Sequence, residues 1–186
     1  MSDWADLENS LDAAARRGET IRFWWRDDDA GRSHPALYRL LDLAERQAAP
    51  IAVAVVPAWL ESETQGTIAG AAQATVLQHG YAHVNHAAKR AKSIELGGRE
   101  PEQILDELRE GFGILEDAFG SAYLPVLVPP WNRIDKALVP TLKSIGYTGL
   151  SVYGPRRALE AAPGVGLVNT HLDPVDWRGT RGFLGE

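Results

Sequence analysis

Three of the chain's five histidines, His79, His83 and His86, fall within eight residues. Three aspartates, Asp27, Asp28 and Asp29, stand side by side earlier in the chain. His79 and His83 are four positions apart, a spacing that sets two imidazoles on one side of a helical turn. Two neutral ring nitrogens placed that way are common ligands for a divalent metal. Adjacent carboxylates repel one another, and a cation relieves that repulsion. A metal held by one carboxylate and two imidazoles keeps open positions for water and substrate, acts as a Lewis acid and lowers the pKa of its water toward ~7. A second carboxylate beside it serves as general base. The chemistry this combination points to is metal-assisted hydrolysis of an amide or ester. The plainer alternatives are a polar histidine-rich loop and a hydrogen-bonded turn at the aspartates.

Such residues need elements to aim them. Leu7, Leu11, Ala14 and Ala15 share one face of a first helix, capped by Ser2 or Asp3 and closed by Gly18. Thr20–Arg26 is β-branched and aromatic, reads as a strand, and runs directly into the aspartates. A helix is predicted over Pro35–Gln47, followed by a strand over Ile51–Val56, apolar throughout as in a parallel sheet covered on both faces. Thr75–Gln78 reads as a strand that ends at His79, and Pro101–Phe119 as an amphipathic helix stopped by Gly120. A strand over Pro125–Val128 leads into Pro129, Pro130 and Trp131, and a helix over Asp135–Ile145 is closed by Gly146. Two more strands are predicted over Thr148–Val152 and Val165–Thr170. Strands alternating with helices imply an α/β fold with a mainly parallel sheet. In such folds ligands bind at the carboxyl ends of the strands. The aspartates, His79, Trp131 and His171 all stand at predicted strand ends. The chain reads as a single domain over 1–186.

Composition narrows the classes. There is no cysteine, so disulfides, thiolate metal sites and a cysteine nucleophile are excluded. A net charge of −6 argues against a nucleic-acid partner. No apolar stretch approaches the ~20 residues of a membrane span, and the acidic N-terminus lacks the basic start and apolar centre of a signal peptide. A cytoplasmic location is expected. The 186 residues are fewer than the ~250 of an eight-fold barrel. Trp59 and Trp4 read as packing residues, His34 as part of a turn, and His86 as a loop residue near the site.

The segments RDDDAG, HGYAH, VPPW and DPVDW, in that order between Ile21 and Trp177, resemble the polysaccharide deacetylase (NodB-homology) family of carbohydrate esterases. The resemblance implies a distorted (β/α) barrel of about six to seven mainly parallel strands, open at its C-terminal seam beside the first strand. It implies one divalent ion, zinc above others, and removal of an acetyl group from an N- or O-acetylated carbohydrate or related small amide. It makes His79 and His83 the imidazole ligands. It favours Asp28 as base and Asp29 as third ligand, with the register Asp27 and Asp28 left open. Pro130 and Trp131 become the substrate-lining motif, with Arg133 following where the family carries an arginine before the proline. Asp173, Asp176 and Trp177 match the segment that supports the base. His171, the one histidine after the cluster, is the candidate acid, although it precedes that segment where the family's histidine follows it. The alternative is a non-catalytic or truncated descendant that keeps the metal and a carbohydrate groove.

Overall fold

Parallel strands need a neighbour along their whole length, and this fixes where the first one begins. In the computed structural model, which describes residues 4–177, 179–180 and 182, strand β1 spans Trp25–Ala30 and pairs with β2 (Ile51–Val55) from Trp25 opposite Ile51. Pro50, with no N–H to donate, precedes β2, and the ladder begins at Trp25. The strand expected over Thr20–Arg26 is therefore displaced toward the C-terminus. The aspartates lie within it rather than beyond its end.

The chain divides into two compact units, residues 25–171 and the terminal segments 1–24 with 172–186. The terminal unit holds α1 (Trp4–Arg16), followed by Gly18 at φ 69°; its expected caps, Ser2 and Asp3, lie outside the described residues. In the same unit Asp173 accepts the indole N–H of Trp177 at 2.6 Å, and Asp176 accepts the backbone N–H groups of Gly179 and Thr180.

The larger unit carries the sheet. After β1 come α2 (Pro35–Gln47), β2, α3 (Ser62–Ala69), β3 (Ala74–His79), α4 (Pro101–Phe119) and β4 (Tyr123–Val128). Then follow α5 (Leu142–Ile145), β5 (Gly149–Leu150), β6 (Glu160–Ala162) and β7 (Val165–Leu167). The seven strands run in the order β1-β2-β3-β4-β5-β7-β6. All neighbours are parallel except β6, which pairs antiparallel with β7. The sheet is an open α/β barrel segment with β1 and β6 at its edges.

Helices α2 and α4 match their predicted ranges because both signals at each end are strong: proline at the first helical position, and a left-handed residue at the close. The helix predicted over Asp135–Ile145 shrinks to α5, behind a single tight turn at Val139–Thr141. Pro140 lacks the N–H an interior turn needs, and the Asp135 carboxylate accepts the Ala137 N–H at 3.0 Å, closing a local turn instead. Strand β7 falls within the strand expected over Val165–Thr170, whereas helix α3 and strand β6, which turns into β7 at Gly164 with φ 74°, were not expected from the sequence.

Register assigns the side chains to two faces. Trp25, Ile51, Val53, Val55 and Val76 point toward the helices and pack with Leu37, Leu41 and Ala44 of α2. Leu127, Leu150 and Tyr147 pack with Ile104, Leu105 and Leu108 of α4. Phe112 joins the two cores, edge-on to both Tyr123 and Tyr147. The opposite, concave face carries Ala54, Leu77 and Val128, with Ala52 and Val126 against them. Arg26 lies opposite Ala52, and His79 opposite Val128, so both belong to that concave face.

Candidate functional site

The carboxyl ends of β1, β2, β3 and β4 bring the chemistry together. Asp29 has a left-handed backbone, φ 68°, where the β1–β2 register slips between Asp27 and Ala30. The kink breaks the strict alternation of the strand and turns Asp29 toward β3. Its Oδ1 lies 3.0 Å from His79 Nε2 and 3.1 Å from His83 Nε2. These three donor atoms form a group fit for one metal ion. The histidines are not on a helix, as their spacing had suggested. His79 ends β3, and the chain then turns at Gly80 (φ 56°) and again at His83 (φ 56°), which folds the second imidazole back toward the first. Their ring centroids are 5.3 Å apart.

The donor set itself tests the fit. His79 Nδ1 is 2.9 Å from the Val128 carbonyl, which can only accept, so that nitrogen carries the hydrogen. When Nε2 carries no proton, its lone pair faces a carboxylate oxygen 3.0 Å away. Two acceptors at that distance repel unless a proton or a cation lies between them, and a divalent ion would satisfy all three donors at once. The alternative to an ion is a proton on each Nε2: hydrogen bonds donated by His79 and then His83 hold the Asp29 carboxyl far below the usual carboxylate range, and Asp29 in turn raises His83.

The other two aspartates take opposite faces. Asp28 lies on the concave side in the grip of Arg26: Nη2 donates to Oδ2 at 2.8 Å and Nε lies 2.8 Å from Oδ1. The second contact is an ion pair without an aligned hydrogen bond, leaving Oδ1 buried and without a hydrogen-bond donor. The same guanidinium, 4% exposed, donates to Ser151 Oγ at 2.7 Å and Asn132 Oδ1 at 3.1 Å. Asp27 faces the helix side and lines a cleft of about 300 Å³ with Arg32, His34, Leu37 and Leu40. Burial, followed by repulsion from Asp28 and Asp29, pushes its carboxyl up to about 6.

Aromatic rings flank His83. Trp131, in a turn with positive φ at both Trp131 and Asn132, approaches to 4.4 Å between centroids. Pro130 beside it is buried. Trp59, read from the sequence as packing, stands 5.5 Å from His83 between ring centroids, with the Arg32 guanidinium 4.4 Å over its ring. The rule that marked Trp131, an aromatic just past a strand end, applies equally to Trp59 after β2.

No protein-family model and no curated protein matches the chain. Solved structures do. A Mycobacterium smegmatis protein described as a polysaccharide deacetylase superposes with a TM-score of 0.57 at 18% identity, over 75% of this chain and 47% of that one. The de-N-acetylase of Aggregatibacter actinomycetemcomitans gives 0.56 at 12% identity, over 83% and 74%. The BpsB deacetylase domain of Bordetella bronchiseptica gives 0.56 at 12%, over 87% and 78%. The chain has the polysaccharide-deacetylase fold. It spans about half the length of the first of these structures.

Within this deacetylase fold the remaining sequence candidates are placed as follows. Arg133, after the Pro130–Trp131 motif, donates to the Ser93 carbonyl at 2.9 Å rather than to an aspartate; Arg26 holds Asp28 instead. In the sequence Arg26 served only to set the register aromatic–Arg–any–Asp–Asp that favoured Asp28 and Asp29, with no role given to its guanidinium. His34 caps α2, its Nδ1 accepting the Ala36 N–H. His86 is half-buried in the loop after His83. His171 is exposed, beyond Thr170, which bridges to Tyr153; it is not part of the Asp29, His79 and His83 group. Asp173, Asp176 and Trp177 lie in the terminal unit. No helix among the described residues is long and apolar enough to cross a membrane.

Proposed function

We propose that this chain is a metal-dependent hydrolase that removes an acetyl group from an N- or O-acetylated carbohydrate or a related small amide. The observation that carries the reading is the convergence of Asp29 Oδ1 with the Nε2 atoms of His79 and His83 at a strand end, beside an arginine-clamped Asp28. Asp29, His79 and His83 would hold one divalent ion, zinc above others, which would polarise an acyl carbonyl and acidify water. Asp28 takes the proton from the attacking water, and Arg26 holds its carboxylate in place. The water oxygen joins the acyl carbon, the bond from that carbon to nitrogen or oxygen breaks, and the proton passes to the leaving atom. Pro130 and Trp131 wall the substrate, the indole offering a face for a sugar ring. The deacetylase and de-N-acetylase names of the structural neighbours support the substrate class.

Zinc titration tests the reading. The parent chain binds one ion, and His79→Ala and His83→Ala each abolish that binding and the turnover of an acetylated substrate. Parental zinc affinity in both variants would refute the assignment.

A second reading, a metal- and carbohydrate-binding protein without turnover, is favoured by the exposed position of His171 outside the ligand group. In the first reading His171, past the end of a parallel strand, protonates the leaving group. His171→Ala then lowers kcat about 10²–10⁴-fold with zinc affinity unchanged. Hydrolysis of an activated acetate ester no faster than by free zinc selects the second.

A further inference from the structure

Glu95 is fully buried, yet no lysine or arginine among the described residues lies within ion-pair distance of it. Burying a carboxylate without a direct ion pair is costly; the charge of Arg99 reaches Glu95, but its guanidinium is paired with Glu107. Its partners are two backbone N–H groups: Ala82 donates to Oε1 at 2.7 Å and Tyr81 to Oε2 at 3.2 Å. Both belong to the turn between His79 and His83. The carboxylate fits so closely that a Cβ on Gly80 would stand 1.9 Å from Oε2. Glycine is thus required there twice over, by φ and by space.

Glu95 is itself well anchored. Ile94 O accepts the His86 N–H at 2.8 Å, and the Ile94 N–H donates to Asn85 Oδ1 at 3.0 Å. Leu96 bridges to Ile134 and accepts the Asp135 N–H at 2.7 Å. The far side of the turn is fixed by Gly80 N–H to Val128 O and Ala58 N–H to Tyr81 O. A rigid anion is thereby clamped behind the segment that must hold His83 in its left-handed conformation.

We infer that Glu95 is the positioning residue of the candidate metal centre: it fixes the turn that presents His83 and supplies a buried negative charge complementary to a divalent ion. The inference rests on the metal-centre reading above. An ion held by one carboxylate and two neutral imidazoles keeps a net positive charge, and Glu95, bonded to the two residues before His83, is the buried anion behind it. Partners behind the ligands of this kind typically change metal affinity 10–100-fold.

The test is Glu95→Gln, which keeps the shape but removes the charge and sets an amide N–H₂ against a backbone N–H. The probe is Co²⁺ alone, followed by calorimetry and by its visible absorption, with urea unfolding of the metal-free protein in parallel. The expected result is Co²⁺ binding 10–100-fold weaker with altered band intensities. Co²⁺ affinity within twofold of the parent, with only the metal-free stability changed, overturns the inference and leaves the metal centre standing. No binding by the parent overturns both. Should Glu95→Gln not fold, Glu95→Asp, one methylene short of the two N–H groups, carries the same expectation of weaker binding, and parental affinity there overturns it.

Discussion

Replacing Arg26 by Met leaves a hole in the polar network of the site whose cost is computable. All three guanidinium nitrogens are engaged, with Asp28, Asn132 and Ser151. Removing one partner of a buried pair costs ~3–5 kcal/mol, because the other charge stays buried without compensation. The Asp28 side chain keeps 28% of its exposure, so water recovers part of that and the expectation falls to ~2–4 kcal/mol. In urea, with a slope of ~2 kcal/mol/M, the midpoint of the metal-free protein moves down by ~1–2 M. The second half of the test is the cycle with Asp28→Asn. If the penalty is the orphaned charge, the double variant is more stable than the sum of the two singles predicts, by ~1–3 kcal/mol. Arg26→Lys does not rescue, since an ammonium cannot reach three partners in the fork geometry of a guanidinium. A loss below ~0.5 kcal/mol, the size of a surface pair, or strict additivity in the cycle, would refute the reasoning and return Arg26 to the status of a solvated charge.

Two further outcomes follow from the same geometry. Asp27, raised to about 6, binds its proton more tightly folded than unfolded, so the metal-free fold loses stability as pH rises from about 4 through 6; Asp27→Asn is more stable than the parent by ~2–3 kcal/mol at pH 7 and equal to it below pH 4 in urea titrations, and equal stability at both pH values would show that Asp27 is not desolvated. Trp59→Ala and Trp131→Ala each raise KM for an acetylated sugar ~2–10-fold, the scale of one aromatic contact, with zinc affinity unchanged, and a KM insensitive to Trp59→Ala would return that ring to packing.

What could be read in advance, and what could not, divides along local and non-local physics. The ranges of α2 and α4 were legible because proline, apolar periodicity and a terminating residue all act within one segment. The buried strand β2 was legible for the same reason. The start of β1 was not, because it depends on where Ile51 sits across the ladder. The chemistry of Asp27 to Asp29 with His79 and His83 was visible as residue types and spacing. The means of joining them was not: four-residue spacing suggests a helix, whereas positive φ at Gly80 and His83 makes the turn. Glu95 left no mark in the sequence and Arg26 only its place in the run before the aspartates, because Arg26 adds to Asp28, two residues on, partners 106 and 125 residues away, and Glu95 has partners 13 and 14 away. Trp59 was legible in principle, by the strand-end rule that selected Trp131.

The three aspartates show why a run of like charges is stable at this strand end. On a regular strand, neighbours point to opposite faces, so Asp27 and Asp28 separate across the sheet without further help. Asp29 would then return to the face of Asp27 and repel it. The left-handed backbone at Asp29 turns the third carboxylate along the edge toward β3, so that Asp27 feels its repulsion only after that of burial and of Asp28. Each carboxylate then meets a different compensation: Asp28 a buried guanidinium, Asp29 two imidazoles, and Asp27 a cleft in which its proton affinity rises. A non-glycine residue at positive φ is disfavoured, and aspartate is among the few that tolerate it. The kink is consistent with the register slip that ends the β1–β2 ladder, so the distortion that closes the strand is the same one that aims the proposed ligand.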